Sequence, residues 1–204
     1  MKLKICGVND AAFARRARDL GADYIGLIFA DGSPRRVSVE QARDILADLR
    51  EPGDESMNRQ IDESTIFKGT VPVGVFTRRP VAEVIAIARE LSLTHVQLHW
   101  RAGTDEVLAA KSTGLVVWTL AGGSDLADAY LYDSSHGDGD TVFCRGLKTS
   151  ILAGGISEAN LAAAIALGPD VIDVSGSLES SKGVKSIAKL ESFIAAYRAA
   201  VQAI

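Results

Sequence analysis

"SILAGGISEANLAAAIALGPDVIDVSG", residues 150–176, decides the architecture. A short apolar run ends on Gly154-Gly155, an Ala-rich helical stretch follows over 157–168, and a second apolar run ends on Ser175-Gly176. Fully apolar strands separated by an amphipathic helix indicate parallel strands covered by helices. The rhythm extends through the chain: "KLKIC", "DYIGLIF", "VPVGVF", "HVQL", "LVVWTL" and "AYLYD" read as six earlier strands. Helices are predicted at "NDAAFARRARDLG", with Asn9 or Asp10 as N-cap and Gly21 as C-cap, and at "SVEQARDILADL", with Ser38 capping and Gln41 at the capping-box distance. Three further helices are predicted at "PVAEVIAIARELS", opened by Pro80, at "TDEVLAAKSTG", and at "VKSIAKLESFIAAYRAAV" closing the chain. Eight strands in 204 residues fit an α/β fold of the (β/α)8 TIM-barrel type, one domain over 1–204. No GxGxxG follows the first strand to support a dinucleotide fold.

Two segments break the rhythm. "REPGDESMNRQIDESTIFKGT" (50–70) is polar, lies between the second helix and the third strand, and reads as a surface insertion on the stability face. "SSHGDGDTVFCRGLKT" (134–149) follows the sixth strand on the active face, where helix six is expected to be shortened or missing.

Composition narrows the function. The chain is 47% hydrophobic and 24% charged, with a net charge of −4 and no Lys/Arg cluster, so no nucleic-acid footprint is present. No apolar run approaches the ~20 residues that span a bilayer, and "MKLKICG" lacks a signal-peptide core, so a cytoplasmic location is expected. Cys6 and Cys144 show no CxxC spacing, which indicates neither a disulfide framework nor a zinc site.

Chemistry in such barrels sits at the C-terminal ends of the strands. Those ends supply Cys6, Phe29 with the loop "ADGSPRR", Phe76, "QLH" with His99, Asp133, "AGG" and "DVSGS". Gly154 and Gly155 after strand seven let backbone N–H groups approach an anion, and Ser175, Gly176 and Ser177 after strand eight add hydroxyl donors. Loops seven and eight form the recurrent phosphate site of this fold. Gln97 is expected to face the barrel interior, whereas Asp23, Phe76, Trp100 and Trp118 read as packing or surface residues.

"KICG", "GADYIGLIF" followed by "SPRRV", "VGVF", "VQLH", "LAGGISEAN" and "IDVSGSLE" occur in an order that resembles the phosphoribosylanthranilate isomerases of tryptophan biosynthesis, over nearly the whole chain. The resemblance implies an Amadori rearrangement of N-(5-phosphoribosyl)anthranilate to 1-(2-carboxyphenylamino)-1-deoxyribulose 5-phosphate. It implies no metal or organic cofactor, a small phosphorylated sugar as ligand, and a monomer or homodimer. It assigns Cys6 as general base and Asp133 as general acid, with Arg35 gripping the anthranilate carboxylate and His99 in the active site. Ring opening needs an acid and removal of the C2 proton needs a base. Cys6 then requires cations or N–H dipoles that favour its thiolate, and Asp133 requires burial or a neighbouring carboxylate that keeps its proton. Asp173 is that neighbour or contacts the substrate amine. Arg36 reads as a solvated charge, and Cys144 has no counterpart in the family.

The chain departs from the family at four points. "GDGD" (137–140) replaces a glycine-rich stretch, so that Asp138 and Asp140 repel an anionic substrate unless they point outward or pair with Arg145 or Lys148. "SGS" is reordered, which strains Ser177 if its φ is positive. Trp100 follows His99 and brings an indole toward the rim, and the helix after strand six is nearly deleted. The alternatives are the phosphoribosyl isomerase of histidine biosynthesis, a dual-specificity enzyme, or a phosphate-binding barrel impaired in catalysis. A cysteine at position 6 argues against the histidine enzyme, whose chemistry usually employs two aspartates.

Overall fold

Alternation along each strand builds the molecule. In β1 (Lys2–Cys6) Leu3 and Ile5 are buried against the surrounding helices, while Lys2, Lys4 and Cys6 take the opposite, inward face. The same parity holds in β2 (Tyr24–Ile28), where Ile25 and Leu27 point outward and Tyr24, Gly26 and Ile28 inward. The computed structural model describes residues 1–50, 69–134 and 148–203.

Six further strands follow: β3 (Val71–Phe76), β4 (His95–Leu98), β5 (Val116–Leu120), β6 (Ala129–Asp133), β7 (Thr149–Ala153) and β8 (Val171–Val174). Each pairs in parallel with the next, and β8 pairs with β1 to close the barrel. The expected (β/α)8 barrel is therefore present. The closing register sets Lys4 beside Asp173, and the register of β1 with β2 sets Cys6 beside Gly26.

Two apolar clusters divide the core. Tyr24, Val73, Trp118, Ala129, Leu131, Ile151, Ala153 and Val171 fill the barrel, and a larger cluster seals the outer strand faces to the helices. Near the N-terminal ends of the strands, Tyr24 and Trp118 meet edge to face at 4.9 Å, with the His95 ring 5.8 Å from Trp118.

The helices start where their caps dictate. In α1 (Ala11–Asp19) the Asp10 carboxylate accepts from Phe13 N–H, and Gly21 leaves the helix at φ +78°. Ser38 and Gln41 complete the capping box of α2 (Val39–Leu49). Pro80 caps α3 (Val81–Glu90) from outside rather than opening its first turn. Next come α4 (Thr104–Lys111), α5 (Leu161–Ala166), shorter than its sequence suggests, and α6 (Ile187–Gln202). A turn over 121–128 joins β5 to β6 without a helix. The expected surface insertion and the altered loop after β6, including Asp138, Asp140, Cys144 and Arg145, lie almost wholly outside the described residues.

One element was not expected. Residues 184–185, read as the start of the last helix, instead form β10 (Val184–Lys185), which pairs antiparallel with β9 (Glu179–Ser181). This hairpin follows a single 3-10 turn over Gly176–Leu178 and lies against the loops after β1 and β2. Asn9 Nδ2 donates to Gly183 O at 3.0 Å, and a Cβ on Gly183 would stand 2.5 Å from Pro34 O.

Candidate active site

Strand parity carries every predicted site residue to one place. Cys6, Arg35, His99, Asp133, Gly154, Gly155, Asp173, Ser175, Gly176 and Ser177 all line a single cavity of about 510 Å3 at the C-terminal mouth of the barrel. Gln97 reaches it from the inward face of β4, as expected. Trp100 does not: its indole is buried in the outer core, with Nε1 directed at the Glu106 carboxylate of α4, so the rim is not narrowed by it. Phe76 stacks on Phe29 at 5.1 Å, and Asp23 accepts from Leu3 N–H, both packing roles.

The side near β1 and β8 is charged and buried. Lys4 is fully buried, and its ammonium donates to Asp173 Oδ2 at 2.6 Å. The second oxygen, Asp173 Oδ1, is buried and unpartnered, as is Gln97 Oε1. A cavity that presents two orphaned acceptors is suited to a ligand carrying N–H or O–H donors. Lys4 was not anticipated as part of the site. Its signal was available, because a residue two places before Cys6 on a strand shares the inward face.

Cys6 differs from expectation. Burial pushes its thiol above the ordinary value, and Asp173 adds to that, while Lys4 and Lys185 pull the other way without cancelling it. The cations foreseen for the thiolate are present, but loss of hydration outweighs them in the resting site. Asp173 is likewise raised by burial, opposed chiefly by Lys4, with Asp133 repelling it across the cavity.

Asp133 ends β6 with Oδ2 3.3 Å from His99 Nε2. Gly154, at φ +91°, is required twice over: its backbone favours glycine, and a Cβ there would lie 2.6 Å from Asp133 Oδ1. Gly155, at φ +63°, borders open space. The serine hydroxyls of the opposite loop are already committed. Ser175 Oγ donates to Cys6 O at 3.0 Å, and Ser177 Oγ donates to Ile156 O at 2.7 Å. They brace the loops instead of offering hydroxyl hydrogens to an anion. The strain foreseen at Ser177 does not arise, because its φ is not positive.

Arg35 crosses Gly7, whose missing side chain makes room: a Cβ there would meet Arg35 Cδ at 2.6 Å. Its guanidinium donates through Nε and Nη2 to the two carboxylate oxygens of Glu179, the latter bond at 3.0 Å. Glu179 also accepts from Gly183 N–H and faces Lys185 Nζ at 3.3 Å, and Lys185 in turn donates to Ser175 O at 2.9 Å. Burial would raise the Glu179 carboxyl, but the hydrogen bonds from Arg35 and Gly183 hold it at about 2. Neither Glu179 nor Lys185 is legible in the sequence, because strands of three and two residues carry no periodicity. Arg36 sits on the surface near Asp31, as expected.

A closed parallel barrel whose C-terminal mouth gathers a thiol from β1, a carboxyl from β6 and the small-residue loops after β7 and β8 places the chain among the TIM-barrel enzymes. The family model for N-(5'-phosphoribosyl)anthranilate (PRA) isomerase matches residues 3–196. The chain is 33% identical to the N-(5'-phosphoribosyl)anthranilate isomerase of Rubrobacter xylanophilus, over 96% of this chain and 98% of the relative. It is 31% identical to that of Campylobacter jejuni, over 95% and 97%. The crystal structure of phosphoribosyl anthranilate isomerase from Thermus thermophilus superposes with a TM-score of 0.76 at 31% identity, covering 98% of this chain and 99% of that one. The chain belongs to the N-(5'-phosphoribosyl)anthranilate isomerase family, enzymes of tryptophan biosynthesis. Among the described residues, no helix is long and apolar enough to cross a membrane, and no group of three or more His, Cys, Asp or Glu side chains could hold a metal ion.

Proposed function

We propose that Cys6 and Asp133 are the base and the acid of the isomerisation. Asp133 protonates the ribose ring oxygen, the C1–O bond breaks, and the anthranilate nitrogen lone pair forms an iminium at C1. Cys6, as thiolate, removes the C2 proton. The C–H electrons become a C1–C2 double bond and neutralise the nitrogen, and the enolamine then loses its C2 hydroxyl proton and gains one at C1, which leaves C2 as the ketone. The iminium cation beside Cys6 favours its ionised form at the moment the base is needed, which offsets the effect of burial.

The backbone N–H groups of Gly155, Gly176 and Ser177 hold the phosphate of the sugar. Arg35, oriented by Glu179, meets the anthranilate carboxylate with its remaining donors, since planar guanidinium matches that group. Asp173 Oδ1 accepts from the substrate amine or a ribose hydroxyl, and His99 steadies Asp133. The observation that carries this reading is the convergence of a thiol from β1 and a carboxyl from β6 on one cavity opened by Gly154-Gly155. Turnover of N-(5-phosphoribosyl)anthranilate by the purified chain, with inorganic phosphate as a competitive inhibitor, tests it. Turnover without competition by phosphate would remove the cradle from the account, and absence of turnover would remove the base and acid.

A further inference from the structure

Lys4 is a fully buried charged side chain, and the chemistry above leaves it without a task. A lysine in a barrel core costs several kcal/mol of lost hydration unless its charge is matched, so its persistence requires an explanation. Asp173 matches it, but a methionine and an asparagine would fill the same space without a charge, so pairing alone does not explain it.

Its other neighbour does. Lys4 and Cys6, two residues apart, share the inward face of β1. Gly26 shows how close the two are: a Cβ placed on it would lie 2.8 Å from Cys6 Sγ and 3.3 Å from Lys4 Nζ, so both atoms border one small space. The charged groups that act on Cys6 are Lys4 from its own strand, Asp173 from β8, Lys185 from β10 and Arg35 from the loop after β2. Arg35 and Lys185 are both engaged with Glu179. With ordinary charges, and apart from the His99–Asp133 pair across the cavity, three cations (Lys4, Arg35, Lys185) face two carboxylates (Asp173, Glu179), and the surplus on this side is one positive charge. A Cys6 thiolate cancels that surplus. Burial opposes the charge of both lysines and prevails at Lys185, whereas at Lys4 the attraction of Asp173 and Cys6 outweighs it.

We propose that Lys4 is a positioning residue of the isomerisation: anchored on Asp173, its ammonium is the counter-ion of the Cys6 thiolate. This inference rests on the assignment of Cys6 as base, and the two are separable by experiment. The test is the rate of Cys6 alkylation by iodoacetamide as a function of pH, followed by mass spectrometry of the Cys6 peptide, in the wild type, Asp173→Asn, Lys4→Met and Lys4→Met/Asp173→Asn. The double variant keeps the pair neutral and guards against misfolding of Lys4→Met. The alkylation midpoint is expected to lie at least one pH unit higher in Lys4→Met than in the wild type, and higher in the double variant than in Asp173→Asn. One unit corresponds to about tenfold slower alkylation at neutral pH. The kcat of Lys4→Met should fall by a similar factor at neutral pH and recover as pH rises, a recovery that loss of packing would not produce. Unchanged midpoints in the folded variants would overturn the role of Lys4. Full turnover in Cys6→Ser would instead overturn the base assignment, whatever the alkylation shows.

Discussion

Gly26 stands beside Cys6 across the β1–β2 ladder, and its missing side chain is the space the thiol occupies: a Cβ there would lie 2.8 Å from Sγ and 3.2 Å from the Cys6 Cα. The Gly26 φ is not in the left-handed region, so the requirement is for room and not for backbone freedom. Gly26→Ala should therefore displace the thiol, destabilise the barrel by about 1–3 kcal/mol as overpacking does, and lower kcat more than KM. Unaltered kcat together with unaltered Tm would show that the strands yield freely at this point.

Arg35 and Glu179 act as a unit. Arg35→Ala should raise KM for the anthranilate substrate with a smaller change in kcat, and Glu179→Gln should do the same to a lesser degree by loosening the guanidinium. Glu179 retains Lys185 and Gly183 N–H in Arg35→Ala, so the stability lost should stay within about 1–3 kcal/mol. Steady-state kinetics on both variants checks this, and identical KM values would return Arg35 to the role of a surface charge.

The pH dependence of turnover follows from the environment of the base. Burial raises the Cys6 thiol, and a base works only when deprotonated, so kcat/KM should climb with pH through a limb above the ordinary thiol range. A pH–rate profile that is flat between neutrality and that range would contradict the assignment.

A second pH effect concerns stability. Burial and the nearby Lys2 lower the His95 imidazole from 6.5 to about 4, and Thr94 Oγ1 lies 2.8 Å from its Nδ1. Between those two values the unfolded chain binds a proton that the folded chain does not, so stability declines as pH falls from about 6.5 toward 4. Thermal unfolding of the wild type and His95→Gln over that interval should show a smaller decline in the variant. Equal declines would place the acid sensitivity elsewhere.

Parity explains why so much of the site was legible in the sequence. Once "KLKIC", "HVQL", "AYLYD" and "VIDV" are read as inward–outward alternations, Cys6, Gln97, Asp133 and Asp173 fall on the inner face, and residues at strand ends fall on the cavity rim. The loops at Gly154-Gly155 and Ser175-Gly176-Ser177 declare themselves by small residues at the right strand ends. What escaped depends on three dimensions. Lys4 hides in a strand that is otherwise largely apolar, although it shares the Cys6 face. The ladder with Asp173 joins residues 169 apart, and the Arg35–Glu179 pair joins residues 144 apart, through a hairpin too short to leave a pattern. The net rise of the Cys6 thiol could not be read either, because burial and charge oppose each other there and only coordinates weigh them.

The most direct measurement is turnover of N-(5-phosphoribosyl)anthranilate by Cys6→Ser and Asp133→Asn, each compared with the wild type alongside thermal unfolding. Each substitution should lower kcat by about 10²–10⁴-fold, the usual contribution of a positioned acid or base, while Tm changes little. Turnover near that of the wild type in either folded variant would contradict the acid–base pair.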